Sequence, residues 1–354
     1  MLEQRVQKLR ESLSPLDAIA ISSPPNRFYL TGFASSAGTV FITRDHAYFV
    51  VDSRYTEAAG AAISHMEVVR GSQPTHRDLA ELCEKHGVKL LGFEDLELTV
   101  AVYNIYSANI EGVELVPIED AVVRQRMVKD AAEQELIRSA QLITDQAYSE
   151  LLNFIGAGRT EKECAKFLED AMFRHGATGL AFPTIAVAGK NSSRPHGVPG
   201  DTVLRDGDFM TMDFGAMYRG YRSDMTRTVA VGHATDEMRT VYDTVLRAQE
   251  AAIALAVPGA ICSEVDQVAR DIIGEAGYGD CFGHGLGHSF GIDIHESPRF
   301  SPSDSSALQP GVCITVEPGI YIPGKFGVRI EDNLIITEEG HIDITTSPKH
   351  LIVV

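Results

Sequence analysis

The chain has 354 residues, 44% hydrophobic and 23% charged, the balance of a globular protein long enough for two cores, because single cores seldom grow past about 250 to 300 residues. A formal net charge of -18 argues against nucleic-acid phosphates and anionic membranes as partners. No apolar run reaches the roughly 18 residues of a membrane helix, MLEQRVQKLRE lacks a signal peptide's apolar stretch, and five cysteines without CxxC spacing suggest neither a disulfide framework nor a thiolate zinc site, so a cytoplasmic protein is expected.

Residues 1–125 read as alternating strands and helices. A first helix is expected over 6–13, and apolar runs at 18–21, 39–43, 47–51, 66–69, 90–93 and 114–117 read as six strands. Helices are expected over 53–62, opening on a capping serine, and over 75–86 and 99–110. Arg44-Asp45 looks like a hairpin turn. This small α/β sandwich carries no catalytic constellation and suits a scaffold, dimerisation or substrate-gating role.

Residues 124–130, RQRMVKD, form a charged connection, and the boundary between two domains, 1–125 and 126–354, is placed there. A long helix is expected over 131–155 and a second over 160–175, with Thr160 as its cap and Glu161 and Glu163 at the positive end of its dipole. From here the chain repeats itself. Gly158 and Gly176 bracket one helix, and Gly259 and Gly277 bracket another with the same spacing. Each bracket follows a longer helix (131–155 and 236–256) and precedes a stretch ending in a histidine, His196 or His295. Two strands carrying two acids come next in each half. The pattern predicts two similar halves whose sites meet on a pseudo-twofold axis.

In the first half, 208–215 (DFMTMDFG) and 222–231 (RSDMTRTVAV) alternate in polarity. A hairpin centred near Tyr218-Arg219 sets Asp213 opposite Asp224, on a face shared with Thr211 and Thr226. In the second, a hairpin centred near Gly324 sets Glu317 of CITVE opposite Glu331 of VRIEDNLII, with Arg329 on the same face. Facing carboxylates repel unless a cation sits between them. Residues 281–296, CFGHGLGHSFGIDIHE, add three histidines, an aspartate and a glutamate among glycines. The glycines argue against a helix and for a loop that lets backbone and substrate approach closely, while Phe290, Ile292 and Ile294 alternate as in a strand. One neutral histidine from this stretch plus four acids makes an oxygen and nitrogen set suited to Mn, Co, Fe or Zn. Carboxylates able to bridge suit a pair of ions about 3.5–4 Å apart, which activates water for hydrolysis of amides or phosphates.

The spacing of Asp213, Asp224, His288, Glu317 and Glu331 resembles that of the pita-bread metallopeptidases, which include methionine aminopeptidase, aminopeptidase P and prolidase, with creatinase as a metal-free relative. The likeness runs from about residue 130 to the end. LTGF (30–33), SAGT (36–39) and VDSRYTEAA (51–59) are similar to the creatinase-type N-terminal domain of the proline-specific branch. The resemblance implies an α+β chain: a C-terminal pita-bread domain of two pseudo-symmetric halves, preceded by a smaller α/β creatinase-like domain. It implies a dinuclear exopeptidase that hydrolyses the Xaa-Pro bond of dipeptides or short peptides, as a homodimer, with two divalent ions, Mn first and Co or Zn next.

Residue by residue, the resemblance implies that Asp213 chelates one ion, Asp224 and Glu331 bridge both, and His288 and Glu317 complete the other shell. Glu317 would also accept the proton of the attacking nucleophile. His196 and His295 match two histidines that contact substrate and steady the oxyanion, and His284 one that lines the site. Arg329 would orient Glu331, with Thr226 alongside. Arg299, in HESPR, matches an arginine near the substrate's C-terminal carboxylate. His288 and His295 are seven apart and face opposite sides of a regular strand, so a break is expected, with Gly291 placed to supply a bulge.

The Xaa-Pro amide lacks an N–H, so peptidases that need that donor fail on it. Prolidase is favoured over aminopeptidase P by Arg299 and the compact length. The front domain disfavours methionine aminopeptidase, the net acidity disfavours a phosphoesterase, and the filled ligand positions disfavour a non-catalytic binding module.

Overall fold

The computed structural model describes residues 2–72 and 75–354, which divide into two compact units, Met1–Arg126 and Met127–Val354. In the first, α1 (Leu2–Glu11), β1 (Ala18–Ile21), α2 (Pro24–Thr31), β2 (Thr39–Thr43), β3 (Ala47–Val51), α3 (Thr56–Ala62), β4 (Glu67–Arg70), α4 (Thr75–His86), β5 (Leu90–Phe93), α5 (Val100–Asn109) and β6 (Glu114–Pro117) precede α6 (Ala121–Met127). The strands form one sheet in the order β4-β3-β2-β1-β5-β6. Five of them have the bounds their apolar runs predict, and β4 lies one residue later. Phe41, Tyr48, Leu79 and Leu91 share its core.

Helical details differ from expectation: α1 starts at Leu2 and ends at Glu11, where 6–13 was expected, and the helix expected over 131–155 ends at Leu151. α2, a helix absent from the expected elements, begins on Pro24-Pro25, residues tolerated at the first helical positions, where no N–H is needed. Ser53 does not cap α3; the Asp52 carbonyl accepts from the Tyr55 and Thr56 amides at 3.1 and 3.2 Å, so the helix starts at Thr56. Part of the charged connection, through Met127, is the helix α6.

The second unit opens on α7 (Ala131–Leu151) and α8 (Glu161–Arg174), then β7 (Gly179–Leu180), β8 (Ile185–Ala188), β9 (Phe209–Phe214), β10 (Ala216–Tyr218), β11 (Tyr221–Arg222) and β12 (Met225–Ala230). Its other half has α9 (Asp236–Leu255), α10 (Cys262–Glu275), β13 (Gly287–Ser289), β14 (Glu296–Phe300), β15 (Cys313–Val316), β16 (Gly319–Ile322), β17 (Phe326–Arg329), β18 (Asp332–Ile336) and β19 (His341–Asp343). Equivalent bonds recur: the Gly158 and Gly259 amides donate to the Leu204 and Leu308 carbonyls at 2.9 and 2.8 Å, and those of Glu161 and Cys262 donate to Thr202 and Ser306, both at 3.0 Å. Each half keeps its own core, one around Leu168, Met212 and Val229, the other around Val265, Ile314 and Leu334.

The hairpins between these helices carry the acids. In the first, Arg219 and Gly220 both have positive φ, 49° and 89°, the signature of a type I′ turn with glycine at its second central position. That moves the centre one residue beyond the expected one, so Asp213 pairs with Thr226, and Asp224 falls in the break between β11 and β12. In the second, one register runs through two ladders, with Val316 facing Asp332 and Gly319 facing Arg329. Glu317 and Glu331 therefore occupy facing positions in the gap between the ladders, the pairing expected around Gly324. The two hairpins join where the Glu331 amide donates to the Thr226 carbonyl at 3.1 Å.

Candidate active site

A cleft of about 780 Å³ opens over these hairpins, and Asp213, Asp224, His288, Glu317, Glu331, His196, His284, His295, Arg299 and Arg329 all line it. Thr226 lies fully buried behind them. β13 brings His288 in by lying tight against β15, so tight that a Cβ on Gly287 would stand 2.0 Å from the Thr315 carbonyl oxygen. This glycine serves the close approach of backbone, one of the two uses the sequence suggested for the glycines of this stretch. The strand expected through Ile294 ends at Ser289, with a register shift at His288/Ser289. That break lies before Gly291, and beyond it the chain turns so that the His288 and His295 rings meet edge to face at 4.4 Å.

Donor atoms of Asp224, His288 and Glu331 all lie within 4.8 Å of one another, and His288 Nε2 is 3.3 Å from Glu317 Oε1. His288 Nδ1 lies 3.1 Å from the Ser289 carbonyl; donating there, it leaves Nε2 with its lone pair toward the acids. Burial pushes the His288 imidazole down to about 3, with His295 adding to the effect, so the ring stays neutral. Burial and the mutual repulsion of the acids push Asp224 and Glu331 well above the usual carboxylate range, and burial raises Glu317 to about 8. One oxygen each of Asp213, Asp224 and Glu331 is buried without a hydrogen-bond partner. Unpartnered buried carboxylate oxygens around one neutral imidazole are what a divalent cation satisfies, so these residues fit a metal.

Arg329 was expected to orient Glu331. Instead its guanidinium donates to Asp213 Oδ2 at 2.5 Å and to the Tyr321 hydroxyl at 2.6 Å. Glu331 is reached one bond further on: Arg329 Nε donates to Thr226 Oγ1 at 2.9 Å, and that hydroxyl donates to Glu331 Oε2 at 2.7 Å. His284 Nδ1 lies 2.8 Å from the Gly285 carbonyl and Nε2 lies 3.0 Å from the Tyr321 hydroxyl, so its two nitrogens are engaged by protein. Tyr321 and Thr315 escaped the sequence reading. Thr315 Oγ1 accepts from the His288 amide at 3.0 Å and donates to Glu317 at 3.2 Å. Its place two residues before Glu317, on the same strand face, was the available signal. Tyr321 gave none, because its partners, Arg329 on β17 and His284 before β13, lie on other segments.

The facing pair Glu317 and Glu331, joined by Asp213 and Asp224 of the first hairpin and the neutral His288 in one open cleft, is a donor set suited to metal-dependent hydrolysis. Residues 135–338 match the model of Metallopeptidase family M24 and residues 4–128 that of the Creatinase/Prolidase N-terminal domain. The chain belongs to metallopeptidase family M24 and has its pita-bread fold, preceded by the creatinase-type domain. It is 42% identical to peptidase YqhT of Bacillus subtilis over 351 residues, 99% of each chain. A structure of Xaa-Pro dipeptidase from Bacillus anthracis superposes with a TM-score of 0.97 at 38% identity over 100% of both chains. X-Pro aminopeptidase from Thermotoga maritima gives 0.92 at 37% over 99% of both. No helix among the described residues is long and apolar enough to cross a membrane.

Proposed function

We propose that the protein is a prolidase-like Xaa-Pro dipeptidase working with two divalent ions, Mn by preference, as a homodimer. The observation that carries the dipeptide reading is Arg299. It faces His288 across the β13–β14 ladder and lines the cleft, and its guanidinium has no ion-pair partner among the described residues. A free cation lining the same cleft as the acids suits a substrate whose C-terminal carboxylate lies one residue beyond the scissile bond. Asp213, Asp224, His288, Glu317 and Glu331 would hold the metals, which when bound polarise the scissile carbonyl and activate water. Glu317 accepts the water's proton. His196 and His295, one from each half, hold the carbonyl oxygen as negative charge develops on it. Arg299 clamps the substrate carboxylate, and His284 presents its ring to the bound peptide.

The test is turnover by Mn-loaded protein of Xaa-Pro dipeptides against Xaa-Pro-Xaa tripeptides, with Co and Zn run in parallel and sedimentation reporting the dimer. Faster dipeptide hydrolysis supports the reading. Efficient tripeptide cleavage with poor dipeptide hydrolysis replaces it with an Xaa-Pro aminopeptidase, like the Thermotoga maritima enzyme of the same fold.

A further inference from the structure

The stretch 281–296 ends on Glu296, whose acid the chemistry above leaves without a task. Glu296 belongs to the interior: Lys129 Nζ donates to its Oε2 at 3.0 Å, and their side chains are 5% and 1% exposed. Its Oε1 accepts from the Asp293 amide at 3.0 Å, inside the turn that follows His288. The Gly291 amide donates to the Asp293 carbonyl at 2.9 Å, and the Gly291 carbonyl accepts from the Arg222 amide at 2.9 Å. Gly291 lies tight against the pair: a Cβ there would stand 3.0 Å from Lys129 Cε and 3.2 Å from Glu296 Oε1, so the pair would have to shift to admit one. Lys129 is itself anchored, its amide donating to the Gly311 carbonyl at 2.9 Å and its carbonyl accepting from Gln134 Nε2 at 3.0 Å. A buried ion pair is weak evidence for stability, because desolvating two charges offsets most of their attraction. What this one provides is location: it pins the loop from Ser289 to Glu296, which turns His295 back onto His288.

We propose that Lys129 and Glu296 are positioning residues for His295, holding the loop 290–296 so that its imidazole reaches the scissile carbonyl; this rests on the reading of His295 as a substrate contact. The pair touches no substrate. It sets where His295 stands, and so acts on kcat more than on metal content.

The test uses the Mn-loaded full chain. In the double variant Lys129→Met/Glu296→Met both charges go, so neither is left buried alone. The variant is expected to keep its bound Mn and unfolding midpoint while amide hydrogen exchange over 290–296 accelerates at least tenfold and kcat on an Xaa-Pro dipeptide falls at least tenfold with KM little changed. Glu296→Gln, whose single amide oxygen keeps the acceptor for the Asp293 amide while its NH2 turns toward Lys129, is expected to restore part of both. Exchange and kcat at the wild-type level in the double variant overturn the proposal, as does loss of Mn in step with kcat. Should the double variant not fold, Glu296→Gln alone decides against Glu296→Ala: equal exchange in the two overturns the assignment. Wild-type protein that cleaves no Xaa-Pro peptide removes the function proposed above and leaves the exchange result standing as a separate finding.

Discussion

Tyr321 shows how much of the site lies in contacts between residues far apart in the chain. Burial pushes its phenol up to about 12, so it stays protonated, accepting from Arg329 and offering its proton to His284. In Tyr321→Phe the Arg329 donor and the His284 nitrogen each lose a partner inside the protein, at about 1–3 kcal/mol for a group left unsatisfied. The expected result is kcat/KM lower by about tenfold or more, with Mn content unchanged by elemental analysis. The acids behave differently. Asp224→Ala and Glu331→Ala each remove an oxygen that no protein donor satisfies, and each is expected to lose at least one ion and nearly all activity. Unchanged metal-to-protein ratios in both variants refute the ligand assignment.

α8 was legible because its signals are local. Thr160 accepts from the Glu163 amide at 3.2 Å while the Glu163 carboxylate accepts from the Thr160 amide at 2.8 Å, a capping box readable directly from TEKE. Thr160→Ala removes the hydroxyl half of that exchange, and the expected cost is about 1 kcal/mol in denaturant unfolding, with activity retained. The hairpins show where local reading stops. Around Gly324 the turn glycine marks the centre, and the expected register matches. In the first hairpin Gly220 marks the second residue of a two-residue turn, and reading the centre one residue early exchanged the partner of Asp213 from Thr226 to Asp224. The loop after His288 was harder still: the alternation of Phe290, Ile292 and Ile294 imitates a strand, but the register breaks at Ser289 and the Gly291 amide bonds back to the Asp293 carbonyl.

At the scale of the molecule, the repeat in the sequence revealed the two halves, and the acids, spaced for two hairpins, revealed the cleft they share. The support behind the acids was not visible. Arg227, fully buried, donates to the Glu331 carbonyl at 2.5 Å, to Asp332 Oδ1 at 2.6 Å and to the Ser347 carbonyl at 2.8 Å, joining strands no local pattern connects. The acids have a cost that the whole fold bears. Their raised pKa values mean that the folded metal-free chain binds more protons than the unfolded chain between the ordinary carboxylate value of 4.5 and about 8, the value for Glu317. Their contribution to stability is therefore fully present below about pH 4.5 and is lost as pH rises through about 8, opposite to the usual acid unfolding of paired carboxylates. Divalent ions held as proposed above would take the place of those protons. Chelator-treated protein is expected to melt at progressively lower temperature from pH 5 to pH 8.5. At pH 8, Mn at 100 times its dissociation constant should restore about 2.7 kcal/mol per site. Calorimetry with and without chelator reads both effects, and superimposable melting curves across that range would remove the metal from the centre of the structure.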